Sequence, residues 1–190
     1  MALRCLPILE FPNSPDYLHI MKTLILLRHA KSSHANPLQR DKARTLNDRG
    51  RSDCSLVAEA LAARSLMPDF ILCSSAERAC ETVDLILDGL GKAIEVRHEE
   101  ELYLAEPATV LAHAQGAPES ASTLMLVGHN PGLGALAFAM AGGSAPAKLA
   151  AFPTAAVATF LFEAMHWTDL DPTQARLAQF FTPKELKPGD

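Results

Sequence analysis

Apolar runs of strand length alternate with segments of helical periodicity along this chain. Lys22–Leu27, Asp69–Cys73 and Thr123–Val127 are short runs dominated by large apolar side chains. Short apolar runs of this kind are typical of buried strands. Three further strands are predicted at Ile94–Val96, Ala155–Phe162 and Arg176–Phe181.

Helical signals lie between these strands. Asn47 or Thr45 can cap a helix that extends to about Ser65, with its apolar residues on one stripe. Further helices are predicted at about Ala76–Leu87 behind a Ser74-Ser75 cap, from Pro107 to Gly116, and over Leu133–Ala141. Because strands and helices alternate, the pattern predicts βα units, an α/β fold and a mostly parallel sheet.

Composition limits the domain count and the class of partner. The chain has 190 residues, is 48% hydrophobic and has a mean hydropathy of +0.08, which suits one domain with a sizeable core. Its net charge of −5 and pI near 5.8 argue against nucleic acid or an anionic membrane as partner, although a local cationic pocket is compatible with them. No run approaches the roughly 20 apolar residues that cross a bilayer.

These signals divide the chain into three parts. Residues 21–182 are expected to form the domain, and residues 183–190, which carry prolines and a glycine, a mobile tail. Residues 1–20 are expected to be an N-terminal extension, in which three prolines and a glutamate interrupt the apolar core that a secretory signal needs. Met21 directly precedes the first strand, so these residues are either an extension or an artefact of the assigned start codon.

The cysteines give no sign of a metal or disulfide framework. They form no Cys-x-x-Cys pair, and they are Cys5, Cys54, Cys73 and Cys80. Reduced thiols of this kind are typical of a cytoplasmic protein. The sequence also lacks a helical His-x-x-x-His pair, a Gly-x-x-x-x-Gly-Lys loop and a Gly-x-Gly-x-x-Gly fingerprint. No metal, nucleotide or other cofactor is therefore expected.

Two histidines directly follow apolar strands. His29 comes after the run Leu24–Leu27 and Arg28, and His129 comes after Met125–Gly128. Ligands of open α/β sheets bind beyond the carboxyl ends of the strands, so both imidazoles are expected at one edge. A lone histidine in this place is more often structural, but the Arg28 guanidinium beside it matches phosphate oxygens.

Chemical roles follow from this arrangement. Neutral His29 is a candidate to attack phosphorus through one ring nitrogen while a backbone carbonyl holds the other. His129 is a candidate to donate to a phosphoryl oxygen and stabilise charge, and its structural alternative is to satisfy turn carbonyls. The other histidines lack such a setting and are expected at the surface or in packing; they are His19, His34, His98, His113 and His166.

Arg78 lies in the first turn of the helix behind Ser74-Ser75. A cation is disfavoured at the positive end of a helix unless an anion binds there. A solvated surface arginine is the common alternative for this residue type. With two histidines and Arg28 expected at the same edge, a phosphate-binding role is favoured.

Four segments in order resemble the histidine phosphatase (phosphoglycerate mutase-like) superfamily. They are Leu27–Ser33, Thr45–Gly50, Ser74–Thr82 and Val127–Gly132, in a similarity over roughly residues 22–182. The Arg-His-Ala-Lys-Ser-Ser run and the short chain look most like the SixA-type phosphohistidine phosphatases. The resemblance implies a three-layer α/β/α fold without a metal cofactor. It also implies that His29 is the phosphorylated nucleophile and that Arg28, Arg78 and His129 bind the phosphoryl group.

The chain departs from the family pattern at one position. Many relatives carry a proton-donating glutamate where this chain has Leu104, and the acids just upstream, Glu99, Glu100 and Glu101, are more typical of a solvated face. An alkoxide leaving group gains ~10²–10⁴-fold from a positioned acid. Imidazole needs less help, because the pKa of its conjugate acid is ~6.5. The missing acid therefore favours phosphohistidine over phosphate esters.

Three functions remain open at this point. The first is a phosphohistidine phosphatase with a covalent phosphohistidine intermediate, acting at a shallow site on a phosphohistidine-bearing protein. The second is a phosphomonoesterase or mutase on small phosphorylated metabolites, which requires one of Glu99–Glu101 to reach the site. The third is a phosphoprotein-binding module without turnover.

Overall fold

Six strands form one sheet in the computed structural model, which describes residues 21–187. They are β1 (Met21–Arg28), β2 (Phe70–Ser74), β3 (Glu95–Glu99), β4 (Thr123–Gly128), β5 (Val157–Glu163) and β6 (Arg176–Phe181). Their order across the sheet is β3-β2-β4-β1-β5-β6. Only β5 runs against its neighbours among these strands, which confirms the predicted mostly parallel sheet.

Six α-helices are present in residues 21–187. They are α1 (Asp48–Ala63), α2 (Glu77–Leu90), α3 (Pro107–Gln115), α4 (Gly132–Ala141), α5 (Ala147–Ala151) and α6 (Pro183–Leu186). The first four lie where the periodicity predicts them, and the sequence pattern did not reveal α5 or α6. None of the helices over these residues is long and apolar enough to span a membrane.

The core lies on both faces of the sheet. Leu24 and Leu26 of β1 belong to the cluster that contains residues of α3 and α4, whereas Ile25 and Leu27 belong to the cluster that contains residues of α1 and α2. All four side chains are fully buried. Central strands covered on both sides need apolar residues at consecutive positions, which explains the unbroken runs. The molecule is therefore the expected three-layer α/β/α sandwich.

The structure decides one predicted helix cap and corrects another. The side chain of Asn47, not Thr45, accepts a hydrogen bond from the Gly50 amide at 2.9 Å and caps α1. Ser74 and Ser75 do not cap α2, because its N-cap residue is Ala76 and no side chain there forms a capping hydrogen bond. The Ser74 hydroxyl instead bonds to a histidine of the site.

The C-terminal segment also differs from expectation. The residues after Thr182 are predicted to be a mobile tail, but Pro183–Leu186 forms α6. The Thr182 and Glu185 side chains form a reciprocal capping box at its start. The predicted extension at residues 1–20 lies outside the described residues.

Strand order determines where the site forms. β4 lies between β1 and β2, and all three run in parallel. Their carboxyl ends therefore meet at one edge, with Arg28 of β1 beside Gly128 of β4. Residues that follow these strands are brought within contact distance although they are about a hundred positions apart in sequence.

Candidate active site

His29 follows β1 and is 7% exposed. Its Nδ1 lies 2.7 Å from the carbonyl oxygen of Ala30. A carbonyl only accepts, so Nδ1 carries the ring hydrogen and Nε2 keeps its lone pair. The Arg78 Nε donates to that Nε2 at 3.2 Å. One ring nitrogen is thus held by a backbone carbonyl, as the sequence led us to expect, and the other faces a guanidinium.

The surroundings of His29 keep its ring uncharged. Burial, together with the nearby guanidiniums of Arg78 and Arg28, lowers its pKa to about 4 against the opposing effect of the Ala30 carbonyl. At neutral pH the imidazole is therefore neutral. A neutral ring with a fixed tautomer and an available Nε2 lone pair is the form that can act as a nucleophile.

His129 follows β4 and lies against His29, with 4.9 Å between the ring centroids. Its Nε2 lies 2.7 Å from the Ser74 hydroxyl and its Nδ1 lies 3.3 Å from an Arg78 nitrogen. A guanidinium only donates, so Nδ1 accepts and Nε2 donates to Ser74. Burial, followed by His29 and Arg78, lowers the pKa of His129 to about 3.

Arg78 joins these histidines to a carboxylate. Its side chain is 4% exposed, and it donates to the Asp41 carbonyl oxygen at 2.7 Å and to the Asp41 carboxylate at 3.0 Å. The sequence predicts that an anion offsets this cation at the start of α2, and here Asp41 provides the negative charge. The guanidinium therefore contacts both histidines and the one acid that offsets it.

Arg28 ends β1 and retains an unused donor. One terminal nitrogen donates to the Phe152 carbonyl at 2.9 Å, just after α5. Its Nε is buried and has no hydrogen-bond partner among the described residues. Burial lowers the pKa of Arg28, and Arg78 adds to this effect. Two guanidiniums near each other with an unsatisfied donor favour an anionic ligand.

Three polar residues of the site were missed by the sequence reasoning. Asp41 and Arg44 form an ion pair at 2.8 Å in the loop after β1, and the Tyr103 hydroxyl donates to the Asp41 carboxylate at 2.7 Å. The Tyr103 hydrogen bond, then those of Arg44 and Arg78, lower the pKa of Asp41 to about 2. Nothing in the sequence distinguishes these residues from other polar residues of their loops.

A cavity of about 340 Å³ brings these groups together. All four predicted site residues line it, and the full lining is Arg28, His29, Lys31, Ser32, His34, Asp41, Arg44, Arg78, Leu104, His129, Asn130 and Thr154. Asp41 bears the only carboxylate among these described lining residues. His34 is exposed, as expected of a surface residue, and it also lines this cavity.

The candidate acids Glu99, Glu100 and Glu101 do not line this cavity. Glu99 pairs with Arg97 at 2.7 Å, Glu100 pairs with Lys42, and Glu101 lies 3.2 Å from His113. Leu104 does line the cavity, as its place in the motif led us to expect, and it is 49% exposed. Its φ of 52° is in the left-handed region that few non-glycine residues adopt.

Two residues of the segments that resemble the histidine phosphatase superfamily, Thr82 and Gly50, also hold the site in place. The Thr82 hydroxyl accepts from the Ala30 amide at 3.0 Å and donates to the Arg78 carbonyl at 2.6 Å, so it joins the loop of His29 to α2. A Cβ added to Gly50 would lie 2.2 Å from the Lys31 carbonyl oxygen, so only glycine allows α1 to approach this loop.

Comparison with known proteins agrees with this geometry. The profile of the histidine phosphatase superfamily (branch 1) matches residues 24–103. The uncharacterized protein Rv1276c of Mycobacterium tuberculosis is 35% identical over 164 residues, which cover 83% of this chain and 100% of that protein.

Solved structures give the same result. A candidate SixA phosphohistidine phosphatase of Agrobacterium tumefaciens is 32% identical, with a TM-score of 0.72 over 85% of this chain and 98% of that chain. Another from Nakamurella multipartitia is 26% identical, with a TM-score of 0.76 over 86% and 96%.

The chain therefore belongs to the histidine phosphatase superfamily and is a phosphatase. Within that superfamily it is SixA-like.

Proposed function

We propose that this protein is a phosphohistidine phosphatase that works through a phosphorylated His29. The observation that carries the proposal is a cavity that holds a neutral, oriented His29 and the guanidiniums of Arg28, Arg44 and Arg78, but no protonated carboxyl group among its described lining residues. This set of groups binds and transfers a phosphoryl group, and it suits a leaving group that needs little acid assistance. The SixA names of the similar structures support the same substrate class.

The first step transfers the phosphoryl group to the enzyme. The His29 Nε2 lone pair forms a bond to phosphorus while the P–N bond of the substrate breaks. The electron pair of that bond goes to the leaving imidazole, which takes a proton from solvent. Arg78 gives up its bonds to the His29 Nε2 and to Asp41 and donates to phosphoryl oxygens instead, which frees the Nε2 lone pair for the attack. Arg28 supplies its unused Nε donor.

The second step releases phosphate. Water attacks phosphorus, the bond to His29 Nε2 breaks, and the proton lost by water passes to solvent. The Nε2 lone pair is restored, and inorganic phosphate leaves. In both steps the developing charge lies on the equatorial oxygens, which Arg28, Arg78 and His129 stabilise.

His129 requires a change of tautomer to serve this role. In the free enzyme its Nδ1 accepts from Arg78, so it cannot donate to phosphate as the sequence-based hypothesis requires. When Arg78 turns to the phosphoryl group, the Ser74 hydroxyl can rotate and donate to Nε2, because a hydroxyl both donates and accepts. Nε2 then loses its proton and Nδ1 takes one from solvent in the cavity, so the ring stays neutral. The hydrogen on Nδ1 is available to a phosphoryl oxygen.

The surroundings of Asp41 support a P–N rather than a P–O substrate. This carboxylate accepts from Tyr103, Arg44 and Arg78, and these bonds hold its pKa near 2. It is ionised at neutral pH and has no proton to give to an alkoxide. A leaving imidazole does not need that proton, because the pKa of its conjugate acid is ~6.5.

A phosphomonoesterase is the second candidate, and one observation favours it. Asp41 lies inside the cavity, and a bound dianion that draws Arg78 away would raise the pKa of this carboxylate. If Asp41 is the acid, the variant Asp41→Asn loses ester hydrolysis by about 100-fold or more and keeps P–N hydrolysis. The exposed Glu101→Gln is the matched control.

Relative rates on two substrate classes test the proposal. We expect kcat/KM for a protein-borne phosphohistidine to exceed that for each member of a panel of phosphate esters by at least about 100-fold. Equal or higher values for any ester contradict phosphohistidine specificity. Binding of both classes without turnover in wild type points to the non-catalytic alternative and contradicts the proposal.

A further inference from the structure

Two cysteines and a histidine meet beside the active site, on the α1 and α2 face of the sheet. Cys73 is on β2, His98 is its register partner on β3, and Cys80 is in the second turn of α2 above them. One ligand atom from each lies within 4.8 Å of the other two. The Cys80 Sγ lies 3.5 Å from the His98 Nδ1.

These distances are close to those of a metal-ligand set. With Zn–S of about 2.3 Å and Zn–N of about 2.0 Å, a tetrahedral site places sulfur and nitrogen ligands about 3.5 Å apart and two sulfurs about 3.8 Å apart. The distance from the Cys80 Sγ to the His98 Nδ1 is 3.5 Å, which equals the value for a sulfur and a nitrogen ligand. His98 is exposed, Cys80 is half-buried and Cys73 is fully buried, so solvent reaches the cluster from one side.

We propose that Cys73, Cys80 and His98 form a Zn²⁺ site whose fourth position is open to solvent. Two sulfurs and one imidazole are ligands that zinc prefers over the hard cations.

The sequence predicts no metal site, because the ligands are not close along the chain. Seven positions separate Cys73 from Cys80, and eighteen separate Cys80 from His98. The cluster exists because β2 and β3 pair in register and α2 returns over them.

A metal at this site also affects phosphatase chemistry. The Cys73 and Cys80 thiols lie 3.2 Å and 3.6 Å from the Ser74 carbonyl oxygen, to which they donate. Each thiol that binds zinc as a thiolate releases its proton to solvent, so these hydrogen bonds are lost. Ser74 holds His129, and Arg78 lies two positions before Cys80. Zinc binding is therefore expected to lower turnover, whichever phosphorylated substrate the enzyme uses.

Co²⁺ is the probe that tests the site, because cysteine thiolates bound to it absorb light by charge transfer and imidazoles alone do not. All proteins carry Cys5→Ser, since Cys5 lies outside the described residues. We expect one equivalent of Co²⁺ to bind with thiolate charge-transfer absorption and to be displaced by Zn²⁺. We expect Cys80→Ser to remove that absorption and His98→Ala to weaken binding by about 10-fold or more. The exposed His166→Ala is the control that leaves binding unchanged.

Two results would overturn these inferences. The site is refuted if Co²⁺ produces no thiolate absorption. It is also refuted if Cys80→Ser and His98→Ala show the same absorption and the same Co²⁺ affinity as the parent protein. Inhibition by Zn²⁺ that is as strong in His98→Ala as in the parent protein assigns the inhibition to other groups, such as the active-site histidines, and removes the coupling.

Discussion

The hydrogen bond between Ser74 and His129 is the most informative contact to remove. The hydroxyl is fully buried, His129 is 3% exposed, and 2.7 Å separates Oγ from Nε2. Ser74→Ala leaves that ring nitrogen without a partner in a buried place. It also removes the group that allows His129 to donate from Nδ1 once phosphate is bound.

The size of the effect follows from the cost of an unsatisfied buried group. Leaving one donor or acceptor unpaired costs about 1–3 kcal/mol. At ~1.4 kcal/mol for each factor of ten, this corresponds to a loss of about 5–150-fold. Because the charge that His129 stabilises grows in the transition state, we expect most of the loss in kcat and a change in KM of less than about 3-fold.

Steady-state kinetics on a phosphohistidine-bearing protein measures this effect. Ser75→Ala is the matched control, since the Ser75 hydroxyl makes no hydrogen bond to either histidine. Ser74→Thr keeps a hydroxyl and is expected to recover part of the lost kcat. Wild-type kcat in Ser74→Ala, or an equal loss in Ser75→Ala, would refute the role given to the Ser74–His129 pair.

Three further predictions concern the leaving group, pH and packing. Leu104→Glu is expected to raise ester hydrolysis about 10-fold or more. Leu104→Gln introduces a side chain of the same size as glutamate but without an acidic proton, and it is not expected to raise the rate. Equal rates for the two variants exclude acid catalysis from this position. Because the pKa of His29 falls from about 6.5 in the unfolded chain to about 4, the unfolded state binds a proton first as pH falls, and the free energy of unfolding drops by roughly 3 kcal/mol between pH 6.5 and 4. Urea unfolding between pH 6.5 and 4 is expected to show a smaller drop in His29→Asn than in wild type. The same pH dependence of the free energy of unfolding in both proteins would contradict this prediction. Gly50→Ala is expected to lower the free energy of unfolding by about 1–3 kcal/mol, while Gly143→Ala, whose added Cβ would meet nothing within 4 Å, has little effect; similar losses in both would contradict the close approach to Lys31.

The sheet could be predicted because its central strands are buried on both faces. Burial of Leu24–Leu27 on two sides requires consecutive apolar residues, and this pattern is visible without a structure. The same reasoning brought Arg28, His29 and His129 to one edge, since parallel strands that are neighbours end together.

Other parts of the site depend on contacts that no local pattern records. Asp41 reaches Arg78 from a short 3₁₀ turn whose sequence resembles any polar loop. Ser74 follows the rule for a helix cap, yet its hydroxyl bonds to His129 because the tertiary partner offers a buried nitrogen. The Cys80–His98 contact likewise exists only after α2 packs on the sheet.

Amino-acid composition alone did not predict the helix in the C-terminal segment. Proline and glycine in the last eight residues suggest mobility, but proline is also favourable in the first turn of a helix. The capping box of Thr182 and Glu185 uses Pro183 in that way and starts α6.

A covalent phosphoryl-enzyme on His29 is the direct test of the mechanism. Enzyme is mixed with a radiolabelled phosphohistidine donor, quenched within milliseconds and digested, and the labelled peptide is identified. We predict an acid-labile, base-stable phosphoryl group on His29 that forms and decays at rates consistent with kcat, and no label in His29→Asn. Turnover without any such adduct in wild type, or equal labelling in His29→Asn, would contradict the mechanism.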